Sequence, residues 1–254
     1  PCIGLGAWPL SQPNRPSEKE ALYLLHQAVD RGVRLIDTAD AYCLSDVEFH
    51  HNERLIGQLL RETSERIVVA TKGGFCRPNG DWVENGRPEH LRATCEASLR
   101  ALGVGQIDIY QLHAPDPEVP LEESMGALAR LKEQGKIAQI GLSNVSVEQI
   151  ELAQRIVPIA SVQNRCNPLD RSAWSDGVVG WCEQNNVCFL PYSPVGGAEE
   201  RHEIATHPVL CQVGAQLRAS PQQVALAWLL HISPVMIPIP GASKLKNLYS
   251  SIGA

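Results

Sequence analysis

Short apolar runs alternate with longer amphipathic segments along nearly the whole chain, and this alternation predicts repeated strand–helix units. Residues 2–5, 35–36, 67–70, 107–112, 137–142, 159–162, 187–190 and 235–239 are continuous blocks rich in Val, Ile and Leu. Such blocks read as strands covered on both faces, as in a parallel sheet. Apolar positions of helical period fill residues 18–31, 53–62, 88–102, 121–134, 147–156, 174–185 and 221–231. Punctuation supports these helices. Ser17 with Glu20, and Ser146 with Gln149, have the spacing of capping boxes. Gly32, Gly103 and Gly135 follow helical runs, and Pro88 and Pro221 sit in first turns. Eight strand–helix repeats with no linker between them predict one domain over residues 1–254, a closed (β/α)8 TIM barrel.

The length of 254 residues suits that fold, since such barrels use about 250. With 22 basic and 28 acidic residues the net charge is -6, which argues against a nucleic-acid partner. No apolar run reaches the roughly 18 residues of a membrane span, and no stretch reads as a secretory signal. The eight cysteines form no C-x-x-C pair and read as reduced and mostly buried, implying a cytoplasmic protein. A monomer or weak homo-oligomer is expected. The chain begins at Pro1 and stops inside its last helical pattern, so it reads as a fragment truncated in or after the last helix. From Ile204 to Ala254 there is no acidic residue, whereas Arg218, Lys244 and Lys246 are present. That segment carries +3, which makes it either a chance excess or an anion site.

In (β/α)8 barrels the chemistry lies at the C-terminal ends of the strands. Asp37, Tyr42, Lys72 and His113 stand there, at or just after three adjacent predicted strands. Any one alone reads more readily as a cap or an ion pair; four together suggest a site. A tyrosine can give a proton to a developing alkoxide. Bringing its reference pKa of about 10 near neutrality takes about 4 kcal/mol of preferential phenolate stabilisation. Lys72 can supply it, and a buried Lys72 needs a carboxylate such as Asp37. His113 can hydrogen-bond the substrate oxygen. The set suits carbonyl reduction and lacks only a hydride.

The motifs GLGAW (4–8), IDTADAY (36–42), NERLIG (52–57), TKGG (71–74) and IDIYQLH (107–113) surround these residues. GLSNV (141–145), VQNRCNP (162–168), PYSPVGG (191–197) and IPGASK (239–244) follow in order. With them the sequence resembles the aldo-keto reductase superfamily, in its broad bacterial-type group. The resemblance implies NADPH-dependent reduction of a small-molecule carbonyl substrate, an aldehyde or ketone. Tyr42 would then be the general acid, assisted by Lys72, Asp37 and His113. It implies that Ser143, Asn144 and Gln163 hold the nicotinamide carboxamide and that Tyr192 stacks on its ring. Ser193, Pro194, Val195 and Gly196 would follow the pyrophosphate. Gly241, Ser243 and Lys244 would hold the 2′-phosphate, with Asn247 and Ser251 nearby. The absence of G-x-G-x-x-G agrees with NADPH/NADP+ binding outside a Rossmann fold. The family often has a cationic residue where Asn247 stands, which lowers the expected preference for NADPH over NADH.

Residues 73–87 read as a turn or hairpin over the barrel mouth, with Phe75 and Trp82 as candidate substrate contacts, and Trp8 as a pocket wall. Trp174, Trp181 and Trp228 fall on helical faces and are expected to pack inward. His50 and His51 are expected to be solvent-exposed loop residues, and no metal site is expected. Two other readings remain open: a cofactor-bound binding protein such as the channel-associated β subunits of this fold, and an inactive truncated product. The complete polar set argues against the first.

Overall fold

The apolar runs lie side by side in one parallel sheet in a computed structural model that describes residues 3–197 and 199–254. Its strands are β1 (Leu5–Gly6), β2 (Leu35–Asp37), β3 (Val68–Gly73), β6 (Ile107–Leu112), β7 (Ile137–Ser143), β8 (Ile159–Gln163) and β9 (Cys188–Phe189), paired in that order. The first strand covers Leu5–Gly6 rather than residues 2–5, and Cys2 lies outside the described residues. An antiparallel hairpin, β4 (Phe75–Cys76) and β5 (Val83–Glu84), occupies the predicted turn after β3.

The expected eighth strand is present only in part. Phe189 N donates to Val235 O (2.8 Å) and Ile237 N to Phe189 O (2.9 Å), tying residues 235–237 to β9. On the other side Gly4 N and Gly6 N donate to Pro238 O (2.9 Å) and Pro240 O (3.1 Å). Pro238 and Pro240 have no N–H to return across that seam, so half of the ladder is missing and the segment is not a regular strand. It still closes the barrel. At the seam a Cβ on Gly6 would lie 2.7 Å from Ile239 O, so only glycine permits the approach.

Around the sheet lie α1 (Glu18–Asp30), α2 (His51–Glu62), α3 (Pro88–Leu102), α4 (Leu121–Glu133), α5 (Val147–Gln154), α6 (Ser172–Ser175) and α7 (Val178–Asn185). Then follow α8 (Arg201–Thr206), α9 (Pro208–Leu217), α10 (Pro221–Ile232) and α11 (Leu245–Ile252). The capping boxes at Ser17 and Ser146 are formed, and Ser220 with Gln223 makes a third. The single helix expected over residues 174–185 is split by Gly177 at φ +83, and α8 and α9 were not anticipated. The core lies between sheet and helices, where Leu24, Leu25, Ile56 and Leu59 pack with strand residues such as Ile36 and Val69. Each such buried side chain contributes about 1.5–3 kcal/mol. Trp181 is buried and Trp228 half-buried against that core, but Trp174 is exposed, because α6 is a single turn set off from α7. No helix of the described residues is long and apolar enough to cross a membrane.

Candidate active site

The C-terminal ends of β2 and β3 and the loop after β2 bring three of the four predicted residues into hydrogen-bonding contact. Lys72 Nζ donates to Asp37 Oδ1 (2.7 Å), to the Tyr42 hydroxyl (2.8 Å) and to Thr38 O (2.9 Å). Its three N–H groups are thus all used, and the side chain is fully buried. Asp37 is held in turn from β8 and β6, since Oδ2 accepts from Gln163 Nε2 (2.7 Å) and Gln111 Nε2 (3.4 Å). A buried ion pair fixed in this way has the extra hydrogen bonds it needs to persist.

Burial pushes the Lys72 ammonium pKa down, and Asp37 opposes that shift. Burial also pushes the Tyr42 phenol well above its ordinary value, with the Asp37 charge adding to the rise. The sequence expectation was the reverse, a Tyr42 brought toward neutrality by Lys72. The physical reason is burial first, which disfavours the phenolate, and then the nearby Asp37 carboxylate, whose charge opposes a second negative charge. Tyr42 therefore keeps its proton, and Lys72 contributes an oriented hydrogen bond at 2.8 Å.

His113 stands at the end of β6, its ring centroid 5.8 Å from that of Tyr42. Burial holds its pKa well below the usual value, and the Lys72 charge acts in the same direction. The imidazole is neutral, and its Nδ1 is buried without a partner. The β4–β5 hairpin completes an aromatic wall: Phe75 and Trp82 stand edge-on to His113 at 4.7 and 5.7 Å. Trp82 is also 6.5 Å from Tyr42 and carries the Arg77 guanidinium 4.0 Å above its ring. Trp8, partly exposed after β1, has no ring contact with this group among the described residues.

Beside the cluster, Asn144 (φ +58) follows β7, donates Nδ2 to His113 O (3.0 Å) and accepts from the Tyr192 hydroxyl (2.9 Å). Ser143 is buried next to it. Gln163, expected to face the cofactor, commits its amide N–H to Asp37. Ser193 (φ +48), Pro194, Val195 and Gly196 (φ +87) form a turn closed by Gly196 N donating to Ser193 O (2.9 Å). Gly241 pairs with Gly6 at the seam, and Ser243 follows it. Lys244 is the exposed N-cap residue of α11, and Asn247 and Ser251 lie on that helix. The structure thus gathers the predicted catalytic set with Phe75 and Trp82, and places Ser143 and Gln163 at the ends of β7 and β8, Asn144 just after β7, Tyr192 to Gly196 after β9, Trp8 after β1 and the rest beyond the seam.

Sequence reasoning missed Gln111, although it lies on β6 two residues before His113, the spacing of side chains on one side of an extended chain. It missed Arg77, which braces the loop by donating to Ala41 O (3.1 Å). It also missed two buried carboxylates. Glu53 accepts from Thr71 Oγ1 (2.6 Å) and meets His50 Nδ1 (2.6 Å), whereas both Asp40 carboxylate oxygens are buried without partners. The expectation of exposed loop histidines is corrected: His50, half-buried just before α2, is tied to Glu53, and His51 lies buried in α2 with Nδ1 on Ser11 Oγ (2.8 Å). The seven described cysteines are free thiols, and only Cys211 is exposed. Burial pushes the Cys43 thiol up to about 11, so its place beside Tyr42 does not make it reactive.

Residues 2–254 match the model of the Aldo/keto reductase family. An uncharacterized oxidoreductase of Schizosaccharomyces pombe is 36% identical over 258 residues, covering 99% of this chain and 78% of its own length. A Glycine max protein named "Probable aldo-keto reductase 1" is 33% identical over 287 residues, covering all of this chain and 79% of its own. Among solved structures, the glycerol dehydrogenase of Gluconobacter oxydans superposes with a TM-score of 0.87 at 27% identity, over 99% of this chain and 85% of that one. An aldo-keto reductase of Klebsiella pneumoniae in complex with NADPH gives a TM-score of 0.83 at 23% identity, over 100% and 84%. With the family model matched over almost its full length, the chain belongs to the aldo/keto reductase family of oxidoreductases.

Proposed function

We propose that this protein reduces an aldehyde or ketone to the alcohol with NADPH, with Tyr42 as the general acid. The observation that carries the reading is Lys72 Nζ lying 2.8 Å from the Tyr42 hydroxyl and 2.7 Å from Asp37. Tyr42 holds its proton until a substrate oxygen gains negative charge. As that proton leaves, the Lys72 hydrogen bond strengthens onto the phenolate oxygen, which is stabilisation of the transition state rather than of the resting phenol. The neutral His113 ring, buttressed by Phe75 and Trp82, donates a second hydrogen bond that orients the carbonyl. Phe75 and Trp82 then form the wall that sorts substrates, with Trp8 farther out.

The donor set fits NADPH. Ser143, Asn144 and Gln163 offer neutral polar groups for a carboxamide, and the Tyr192 ring is anchored through its hydroxyl to Asn144. Ser193, Pro194, Val195 and Gly196 offer a tight turn for the pyrophosphate. Gly241, Ser243 and Lys244, with Asn247 and Ser251, lie in the segment without acidic residues, and no described carboxylate pairs with Lys244. When bound, the nicotinamide supplies the hydride.

The test follows NADPH absorbance with a panel of aldehydes, for this chain and for Tyr42→Phe. Measurable oxidation that falls at least about a hundredfold in the variant is expected, from loss of general acid catalysis. Equal rates would overturn the assignment.

A further inference from the structure

The outer face of the barrel carries a basic cleft that shares no residue with the catalytic cluster. Arg54, Gln58 and Arg61 are spaced four and three apart on α2 and therefore share one face. Across from them on α3, Arg100 stands beside Ala97 and Ala101, whose small side chains leave the space open. A Cβ on Gly57 would lie 2.4 Å from Ala101 O, so the two helix backbones touch here and hold these faces at a fixed separation. Between them is a cavity of about 560 Å³, bounded also by Glu18, His50 and His51. That volume falls in the range of small-molecule sites, about 300–1,000 Å³.

The cleft is locally basic on a chain of net charge -6. Arg15, Arg34, Arg66 and Arg165 all pair with carboxylates. Among the described residues, Arg54, Arg61 and Arg100 do not; Arg54 donates only to Phe49 O (2.8 Å). Three guanidiniums against the one carboxylate of Glu18 leave a local net charge of +2. A phosphate group carries about -1.5 to -2 and is the anion that guanidinium forks recognise best.

His51 supplies an independent observation. Its side chain is more than nine-tenths buried, yet its Nε2 stops 3.6 Å from Glu18 Oε1, too far for a hydrogen bond. The ring is oriented from behind by a chain of short bonds. Its Nδ1 meets Ser11 Oγ (2.8 Å), which accepts from Asn52 Nδ2 (2.6 Å), and Asn52 Oδ1 accepts from Thr38 Oγ1 (2.6 Å). The imidazole is thus fixed with its Nε2 edge at the cavity wall, where the exposed Glu18 carboxylate is near but makes no hydrogen bond, the kind of preorganisation that a binding site requires. His50, locked to the buried Glu53, lines the same wall.

We infer that this cleft between α2 and α3 binds a small phosphate-bearing molecule, held by Arg54, Arg61 and Arg100 and hydrogen-bonded by His51. Inorganic pyrophosphate is the probe, titrated by calorimetry into protein saturated with NADPH so that the cofactor's own phosphate contacts are occupied. One saturable site per chain is expected. It should weaken at least tenfold in Arg61→Gln/Arg100→Gln, weaken to a smaller degree in each single variant, and persist in Lys244→Ala. The His51 ring resonance should shift on titration. Absence of saturable binding, equal affinity in the double variant, or loss only in Lys244→Ala would each overturn the inference.

Discussion

Lys72 and Lys244 are the same side chain in opposite surroundings. Lys72 is fully buried, has all three N–H groups engaged and faces Asp37 at 2.7 Å. Lys244 is exposed at the start of α11, with no carboxylate beside it among the described residues. A charge held in a dry interior is part of the architecture, because removing its partner leaves an uncompensated ion. A charge in water has little to do with stability and is free to serve recognition. The contrast is sharpest if Lys72 is removed. Lys72→Met should abolish measurable reduction and lower the unfolding free energy by about 3–5 kcal/mol, since Asp37 remains buried and charged. Denaturant titration checks the stability and NADPH absorbance the rate. A variant as stable as the parent would show that Asp37 takes up a proton at little cost.

The same division explains what could be read from the sequence. Asp37, Lys72 and His113 were legible because a polar residue ending an apolar strand is conspicuous, and Tyr42 because it lies in the loop just after one of them. Gln111 was not singled out, and Gln163 was singled out only for the cofactor; that both hold Asp37 from two other strands shows only in their long-range contacts. Seven strands followed from their apolar runs. The eighth was placed correctly but lost regularity to Pro238 and Pro240, whose missing donors matter only once the neighbouring strand is known. His50 and His51 were misread because their partners, Glu53 and Ser11, come from one helix turn away and from a loop 40 residues earlier. The direction of the Tyr42 shift was misjudged because burial, its largest cause, depends on depth, which a sequence does not display.

A second test stays on the buried side. Asp40 is fully buried, and desolvation, followed by the Glu53 charge, raises its pKa well above the ordinary 3.8. Below about pH 4 the carboxyl is protonated in both folded and unfolded chains. As the pH rises from there, the unfolded chain releases the proton while the folded chain retains it, so stability declines toward the raised folded value. Asp40→Asn removes that decline. Its melting temperature relative to the parent should therefore rise by several degrees between mildly acidic and mildly alkaline pH, as read by circular dichroism. A difference that does not change with pH would mean that Asp40 ionises in the fold, with Lys72 as the compensating charge.

Lys244 tests the exposed side, and there the effect on the fold should be nil. Lys244→Ala removes no described ion pair, so stability should stay within about 0.5 kcal/mol of the parent, as for other surface substitutions. If Lys244 reads the 2′-phosphate, the loss is of one charge-assisted contact, worth about 1.5–3 kcal/mol and hence about tenfold or more in NADPH affinity. NADH has no such phosphate, so its affinity should be unchanged, and the ratio of the two isolates the contact from any general damage. Fluorescence titration of both cofactors gives that ratio directly. With Asn247 bringing no charge to the same helix, no second cation at that position can compensate. An unchanged ratio would mean that the acid-free segment binds the adenosine end through neutral groups alone, and Lys244 would then be an ordinary solvated surface lysine.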